Sequence, residues 1–529
     1  MSTKSSRSKL IESIYSSHKT YWEQARPDLE RYRDIYNIDF FHSEGFRKND
    51  DLSIQVADAN SFVEGYIASL FSKAPAVRAV QDIKANTGNE AVAEAIANRF
   101  LFNQQETLTR AARLSLIFPM SFFKILPAAK THSSVLDNFT LLSLNPWEVI
   151  LDMTAPDWDS QRWVGHICWM PIKKAQLQFG NKDFKPEQIK DYFTDTRVMH
   201  VADVPEEYQY IRLVEFYDLI EGKRIFWSPN YKGGDILEEG EIPLTDLEDD
   251  YIIPIVPLYL CTHPEQPLKG FSTLKKIYDQ IREKNLLRSH WAQSIRRDTR
   301  QIVYPKGAFD EESLSKLEAG LDNSFIPHEK GVSGSIMTVV PNLTMSTNHQ
   351  IYLQQVEADL QRASVLAPFA KGLATNATAT EINALAQYTS SEIGKMARVR
   401  DAAIEQIAAI YIRLIQIFLE DEDERVVLTI NNDLHILKSS DLEGKFKIVA
   451  VDQGSAPLAA QTKKQEFLSL MPSLVSLGAT KESILQHLGA LFDLPEGMLK
   501  LPPPEPVAAP ADALAGQQLP LPVDPNQPR

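Results

Sequence analysis

An α+β fold, mainly helical, is predicted by three features of the sequence. Long segments repeat apolar residues every three or four positions. One internal segment replaces that repeat with short apolar runs separated by turn signals. The composition, 43% hydrophobic and 24% charged, is that of a chain able to bury a sizeable core. At 529 residues there is room for about three or four domains, or for one large discontinuous domain.

The first helix is expected over 8–37, where Leu10, Ile11, Ile14, Tyr15, Tyr21, Trp22, Leu29, Tyr32 and Tyr36 fall near helical spacing, with a kink or break at Pro27. Residues 54–74 and 89–118 read as two more helices, the second capped by Asn89. From about 121 to 265 the pattern is β-rich. It includes Glu148–Leu151, Trp163–Met170, Tyr210–Leu219 and Arg224–Trp227, with a turn at Lys232-Gly233-Gly234. Helix returns from Phe271 to about Thr299. A small β-α-β-β unit follows, with strands at Gln301–Pro305, Ser324–Pro327 and Ile336–Val340 and a helix at Asp310–Ala319. Residues 348–365 form another helix, and the small-residue loop Ala367–Ala377 follows.

Ala379–Glu420 carries the strongest periodicity in the chain, through Ile382, Leu385, Thr389, Ile393, Met396, Ala403, Ile407, Ile410, Leu414 and Ile417. At 1.5 Å per residue it spans about 63 Å as one helix. Its stripe suits either a packed core or a contact between subunits, because mixed charges occupy the other faces. Strands return over 426–451, and 458–499 reads as two or three short helices. The tail 501–529 holds 9 of the 31 prolines and is expected to be disordered or polyproline-like.

Charge is unevenly placed. The chain has 55 basic and 70 acidic residues, a net of −15, which disfavours non-specific DNA binding by the whole surface. Asp203–Asp250 holds 14 acidic against 4 basic residues. Ser272–Lys306 reverses the sign, with nine basic residues against three acidic. That run is either a solvated helix face balanced by neighbouring acids or a belt facing nucleic acid or an acidic partner. Arg296, Arg297, Arg300 and Lys306 lie where the helix meets the small unit, where cations also favour the negative end of the helix dipole.

Enzyme signatures are sparse. There is no phosphate-binding Gly-x4-Gly-Lys-[Ser/Thr] loop, no Gly-x-Gly-x-x-Gly and no His-Glu-x-x-His. Ser272-Thr273-Leu274-Lys275 has the Ser-x-x-Lys form without its companion motifs, so it reads as a helix cap followed by a surface lysine. His18, His42, His132, His166, His200 and His263 have no metal-ligand spacing. Cys168 and Cys261 cannot build a disulfide framework. Asp152, Asp157 and Asp159 are the one carboxylate group close enough in sequence to suggest Mg²⁺ for a nuclease; the alternative is an acidic turn after a strand. No cofactor is expected. No apolar stretch is long enough to span a membrane, and the basic N-terminus lacks the apolar region of a signal peptide.

The order of elements, together with two stretches, resembles the portal protein (head–tail connector) of tailed bacteriophages, nearest the short-tailed type. Ala377-Thr378-Ala379-Thr380-Glu381-Ile382-Asn383-Ala384-Leu385, continuing through Tyr388–Gly394 and Met396-Ala397-Arg398, is similar to the entry into the long wing helix of such proteins. Asn145-Pro146-Trp147-Glu148-Val149-Ile150-Leu151-Asp152, followed by Trp163-Val164-Gly165-His166, is similar to the family's wing.

The resemblance implies a non-enzymatic homo-oligomer, usually a ring of about twelve copies, around a double-stranded DNA channel at one capsid vertex. It implies a wing from 1–270 and 379–455, stem helices at 271–298 and 348–366, a clip at 299–347, a channel loop at 367–378 and a crown at 456–500. Lys371 and Asn376 would meet DNA in the loop. Arg296, Arg297, Arg300 and Lys306 would form a stem–clip belt. The implied partners are the large terminase subunit, a head–tail adaptor and the major capsid protein, with assembly in the host cytoplasm. A ring of −15 subunits would present phosphate with a mostly repulsive wall, along which DNA slides rather than sticks. The rival readings are a metal-dependent packaging nuclease and a capsid scaffold component that never meets DNA.

Overall fold

A computed structural model describes residues 2–43, 54–71, 74–81, 89–128, 134–180, 182–187, 209–246, 250–263, 267–298, 302–303, 311–312, 315, 338–339, 347–363, 379–419, 427–430 and 433–451. The chain divides into two units, Met1–Ala459 and Ala460–Arg529. The second unit, with the helices expected over 458–499 and the proline-rich tail, lies outside the described residues.

Helices and antiparallel sheets are both present, as an α+β class requires. The helices are α1 (Ser2–Tyr36), α2 (Phe40–Ser43), α3 (Asp58–Leu70), α4 (Glu90–Asn103), α5 (Gln105–Ile117), α6 (Ile172–Phe179), α7 (Tyr278–Asp298), α8 (Thr347–Ala363) and α9 (Ala379–Phe418). Strands β4 (Val149–Leu151), β5 (Trp163–Pro171), β6 (Tyr210–Asp218), β7 (Lys223–Trp227) and β8 (Glu238–Glu241) form one antiparallel sheet in sequence order. Strands β2 (Ser121–Pro127), β3 (Phe139–Leu144) and β9 (Ile255–Leu258) form a second, with β2 in the middle. Strand β1 (Val77–Gln81) pairs antiparallel with β14 (Phe446–Ala450), with Val77 opposite Ala450, so the ladder joins segments from near the two ends of the first unit.

 The innermost pair of that ladder is Gln81↔Phe446. Two further ladders join β10 (Ile302–Val303) to β11 (Thr338–Val339) and β12 (Val427–Ile430) to β13 (Asp433–Ile436).

The core gathers around α9. Its residues Ile393, Met396, Ala403, Ile404, Ile407, Ala408, Tyr411 and Ile415 are buried with apolar side chains of α3, α4, α5, β2, β3 and β9. The described part of the stripe is therefore core of its own chain. Burying each large aliphatic or aromatic side chain contributes about 1.5–3 kcal/mol. Tyr411 stacks on Phe100, with ring centroids 3.9 Å apart, and its hydroxyl donates to the Leu136 carbonyl at 2.7 Å. On the other faces of the helix, Arg413 donates to the Thr245 carbonyl at 2.7 Å, and the Glu405 carboxylate accepts from the Ala450 backbone at 2.8 Å. One long helix thus ties the N-terminal helices, the sheets and the late strands together.

Three expectations change. No break occurs at Pro27, because α1 runs through it. Buried Trp22 and Leu29 anchor the helix on either side, and that packing outweighs the lost backbone bond and ring clash, about 3 kcal/mol. The single helix expected over 89–118 divides at Gln104. The Gln104 carbonyl accepts from Leu108, and its side-chain oxygen accepts from Leu141 at 3.3 Å, so the joint is held from the neighbouring strand. Among the described residues of the segment expected over 54–74, the helix runs from Asp58 to Leu70. Two other expectations hold: Asn89 caps α4 by accepting from Ala91 at 3.1 Å, and Ser272 accepts from Leu274 at 3.1 Å ahead of an exposed Lys275.

In the small unit after α7, the first and last expected strands pair as β10 and β11, and residues 311–312 and 315 are helical. The strand expected at Ser324–Pro327 lies outside the described residues. Among the described residues no helix is long and apolar enough to cross a membrane.

Candidate functional site: the helix pair and the charged sheet core

Helix α7 carries most of the positive run and packs against α8. Gly270 sets its entry, with φ +50° in the left-handed region, where a Cβ would run into the Pro119 carbonyl. Three side chains then fasten α7 to the N-terminal part of the chain. Asn285 accepts from the Val56 backbone at 2.9 Å, Ser289 accepts from Ile54 at 2.9 Å, and the Lys284 ammonium lies 2.9 Å from Asp58 and 3.3 Å from Glu357 of α8. Lys284 is 9% exposed, so this member of the positive run is an internal clamp.

The rest of the run separates along the helix. Lys275, Lys276 and Arg288 are exposed, and the Lys276 ammonium sits 5.4 Å from the Phe271 ring centroid. Arg296 and Arg297 lie in the last turns of α7, and their side chains are outside the described residues. Arg300, Lys306, Lys371 and Asn376 also fall outside the described residues. The structure therefore brings none of the six candidate DNA-facing residues into a described contact.

The second charged feature is one that sequence reasoning missed. Lys124 of β2 is 1% exposed, and its ammonium hydrogen-bonds Glu215 of β6 and lies 3.0 Å from His166 Nδ1 of β5. Tyr217 and Arg224 each donate to Glu215 at 2.7 Å. The register explains the gathering: His166 pairs across from Glu215, and Tyr217 across from Arg224. Burial pushes the Glu215 carboxyl up, but Lys124 and Arg224 outweigh it and hold its pKa down at about 2. Burial, reinforced by Lys124, lowers His166 to about 3. A single lysine in an apolar strand and a glutamate 91 residues later carry no local signal of this pairing.

His18, another of the scattered histidines, is also a packed group. Its Nε2 lies 3.0 Å from the Val149 carbonyl and from the Trp22 indole nitrogen, and burial lowers its pKa to about 4.

Two of the three aspartates considered for Mg²⁺ are occupied separately, and Asp159 is exposed. Asp152 accepts from the Thr154 hydroxyl at 2.6 Å and pairs with Arg162; burial raises its carboxyl, but these partners leave it below the usual range. Asp157 accepts from the Ser160 backbone at 2.8 Å. The segment is a turn after β4, and among the described residues no cluster of three or more His, Cys, Asp or Glu is placed to hold a metal. Just before it, Asn145–Glu148 is closed by the Asn145 backbone donating to Glu148 at 2.7 Å, and Trp147 packs edge-on against Phe118.

The described residues thus combine a long central helix, a clamped helix pair and antiparallel sheets, with Val149 and Leu151 of the Asn145–Asp152 stretch built into the core. Residues 137–476 match the family model described as phage P22-like portal protein, and the chain belongs to that family. No match was found among curated proteins. The family is one of structural components rather than enzymes, and membership implies an oligomeric assembly at the phage capsid vertex with capsid and tail partners.

Proposed function

We propose that the chain closes into a ring of about twelve copies that forms the DNA conduit of the capsid vertex. The ring serves genome packaging, retention and ejection, and it docks the large terminase subunit and a head–tail adaptor. The observation that carries this reading is the family match over residues 137–476, which includes α7, α8 and α9.

On this reading 1–270 and 379–455 form the wing, and 271–298 and 348–366 the stem. Residues 299–347 form the clip, 367–378 the channel loop, and 456–500 the crown. The Lys284 clamp supports the stem assignment, because it holds α7 to α8 and to the N-terminal part of the chain with one buried cation. Arg296, Arg297, Arg300 and Lys306 act as a basic belt near the stem–clip junction, and Lys371 and Asn376 contact DNA from the loop. Net negative charge elsewhere keeps DNA from adhering to the wall.

The test is the native mass of the purified chain, together with negatively stained images of the same sample. A closed ring with a central hole is the expected result. A chain that stays monomeric even with its capsid and scaffold partners overturns the reading. In packaged particles, a photocrosslinker at position 371 should capture DNA, and its failure to do so would remove the loop assignment.

A further inference from the structure

The β1–β14 ribbon has one covered face and one bare face. Val77, Ala79 and Ile448 point into the core against α4 and α9. On the opposite face, Val80, Val449 and Val451 are each about 40% exposed, and Arg78 and Lys447 are exposed beside them. The register sets these residues side by side, with Arg78 opposite Val449 and Val80 opposite Lys447. Isolated exposed valines are ordinary, but three on one ribbon face form a contiguous apolar strip. Neither Arg78 nor Lys447 forms an ion pair among the described residues.

A surface of opposite charge lies at the β6–β7 turn. Ile220 is 73% exposed at its tip, and Tyr251, 47% exposed, packs on Gly222. Glu241 and Asp250 flank this apolar pair and are exposed, with no ion pair among the described residues, while Lys223, opposite Glu241 in the register, is taken up by Glu221 and Glu239. Glu241 belongs to β8, an edge strand of sequence Glu-Glu-Gly-Glu, whose charge disfavours docking by strand addition and favours side-chain contact.

We infer that the bare ribbon face of one copy receives the Ile220–Tyr251 surface of the next copy in the ring. This rests on the ring reading proposed above. A closed ring is built from head-to-tail contacts, which need two different complementary surfaces on each chain. The two faces meet that need: each pairs exposed apolar side chains with flanking charge, positive on one and negative on the other. Face-to-face contact of two ribbons would instead oppose Arg78 and Lys447 to like charges, which selects against a symmetric dimer.

The experiment begins with wild-type rings assembled from isotopically light and heavy chains and treated with a zero-length carbodiimide. Mixed light–heavy links from Lys447 to Glu241 or Asp250 are expected, and rings without such links overturn the inference. In parallel, the double variant Arg78→Glu/Lys447→Glu should lose the ring, and adding Glu241→Lys/Asp250→Lys should restore it. Rings that survive the first pair of changes, or that the second pair fails to restore, overturn the inference while leaving the ring reading intact. A wild-type chain that never forms rings overturns both.

Discussion

Lys124 and Lys284 are both paired with carboxylates, yet they sit in different physical settings. Lys124 is sealed between two sheets at 1% exposure, with every neighbour of its ammonium also buried. Lys284 reaches Asp58 and Glu357, whose side chains are 34% and 45% exposed. The sealed pair must be complete or the sheet core holds an uncompensated charge. The rim pair can exchange its partners for water at modest cost. The sheets are thereby joined through a sealed charge, while the helix pair is fastened by a buried cation whose carboxylate partners remain open to salt and water.

The strongest way to break this comparison is Lys124→Met. It leaves Glu215 buried beside Tyr217 and Arg224, and urea denaturation should show a loss of about 3–5 kcal/mol. The double change Lys124→Met/Glu215→Gln removes the stranded charge and should recover a large part of that loss.

Acid should act on the same region next. His166 is lowered from 6.5 to about 3 and Glu215 from 4.5 to about 2, so the unfolded chain binds more protons in acid. The stabilisation from neutral His166 is complete above its unfolded pKa and is lost as pH falls from 6.5 towards 3. That from Glu215 follows as pH falls from 4.5 towards 2. The denaturation midpoint should drop across this window, and His166→Gln should shallow the upper part of the fall. An unchanged profile in that variant would show that His166 is not responsible.

Lys284→Met should cost less, about 1–2 kcal/mol, since both acids can rehydrate. High salt should narrow the gap between this variant and the wild type while leaving the Lys124 gap unchanged. Equal salt responses would erase the distinction between sealed and rim pairs. The smallest effect is expected for Arg99→Ala, which breaks an exposed pair with Asp137 at 2.8 Å and should change stability by less than about 1 kcal/mol.

Local signals in the sequence proved reliable where the physics is local. Asn89 and Ser272 cap the elements they precede, and the helix predicted from Ala379 begins there. The short apolar run at Trp163–Met170 becomes a strand of the larger sheet. The helix α6, inside the β-rich stretch, carried too short a repeat to stand out. Pro27 does not break its helix, because its local cost is real but smaller than the packing on either side of it. The candidate residues at the helix end and in the loop were chosen by charge and position, and neither property specifies a contact.

The sequence by itself determined the class of elements, their order and the family to which that order belongs, because periodicity, caps and turn residues act within a few positions of the chain. Only the tertiary structure decided that the described part of the long stripe is core, that Gln104 is a joint, that Lys284 is a clamp and that Lys124 meets Glu215 and His166. A periodic stripe specifies which face of a helix is buried but not what covers it, and a buried charge finds its partner only when distant strands come into register.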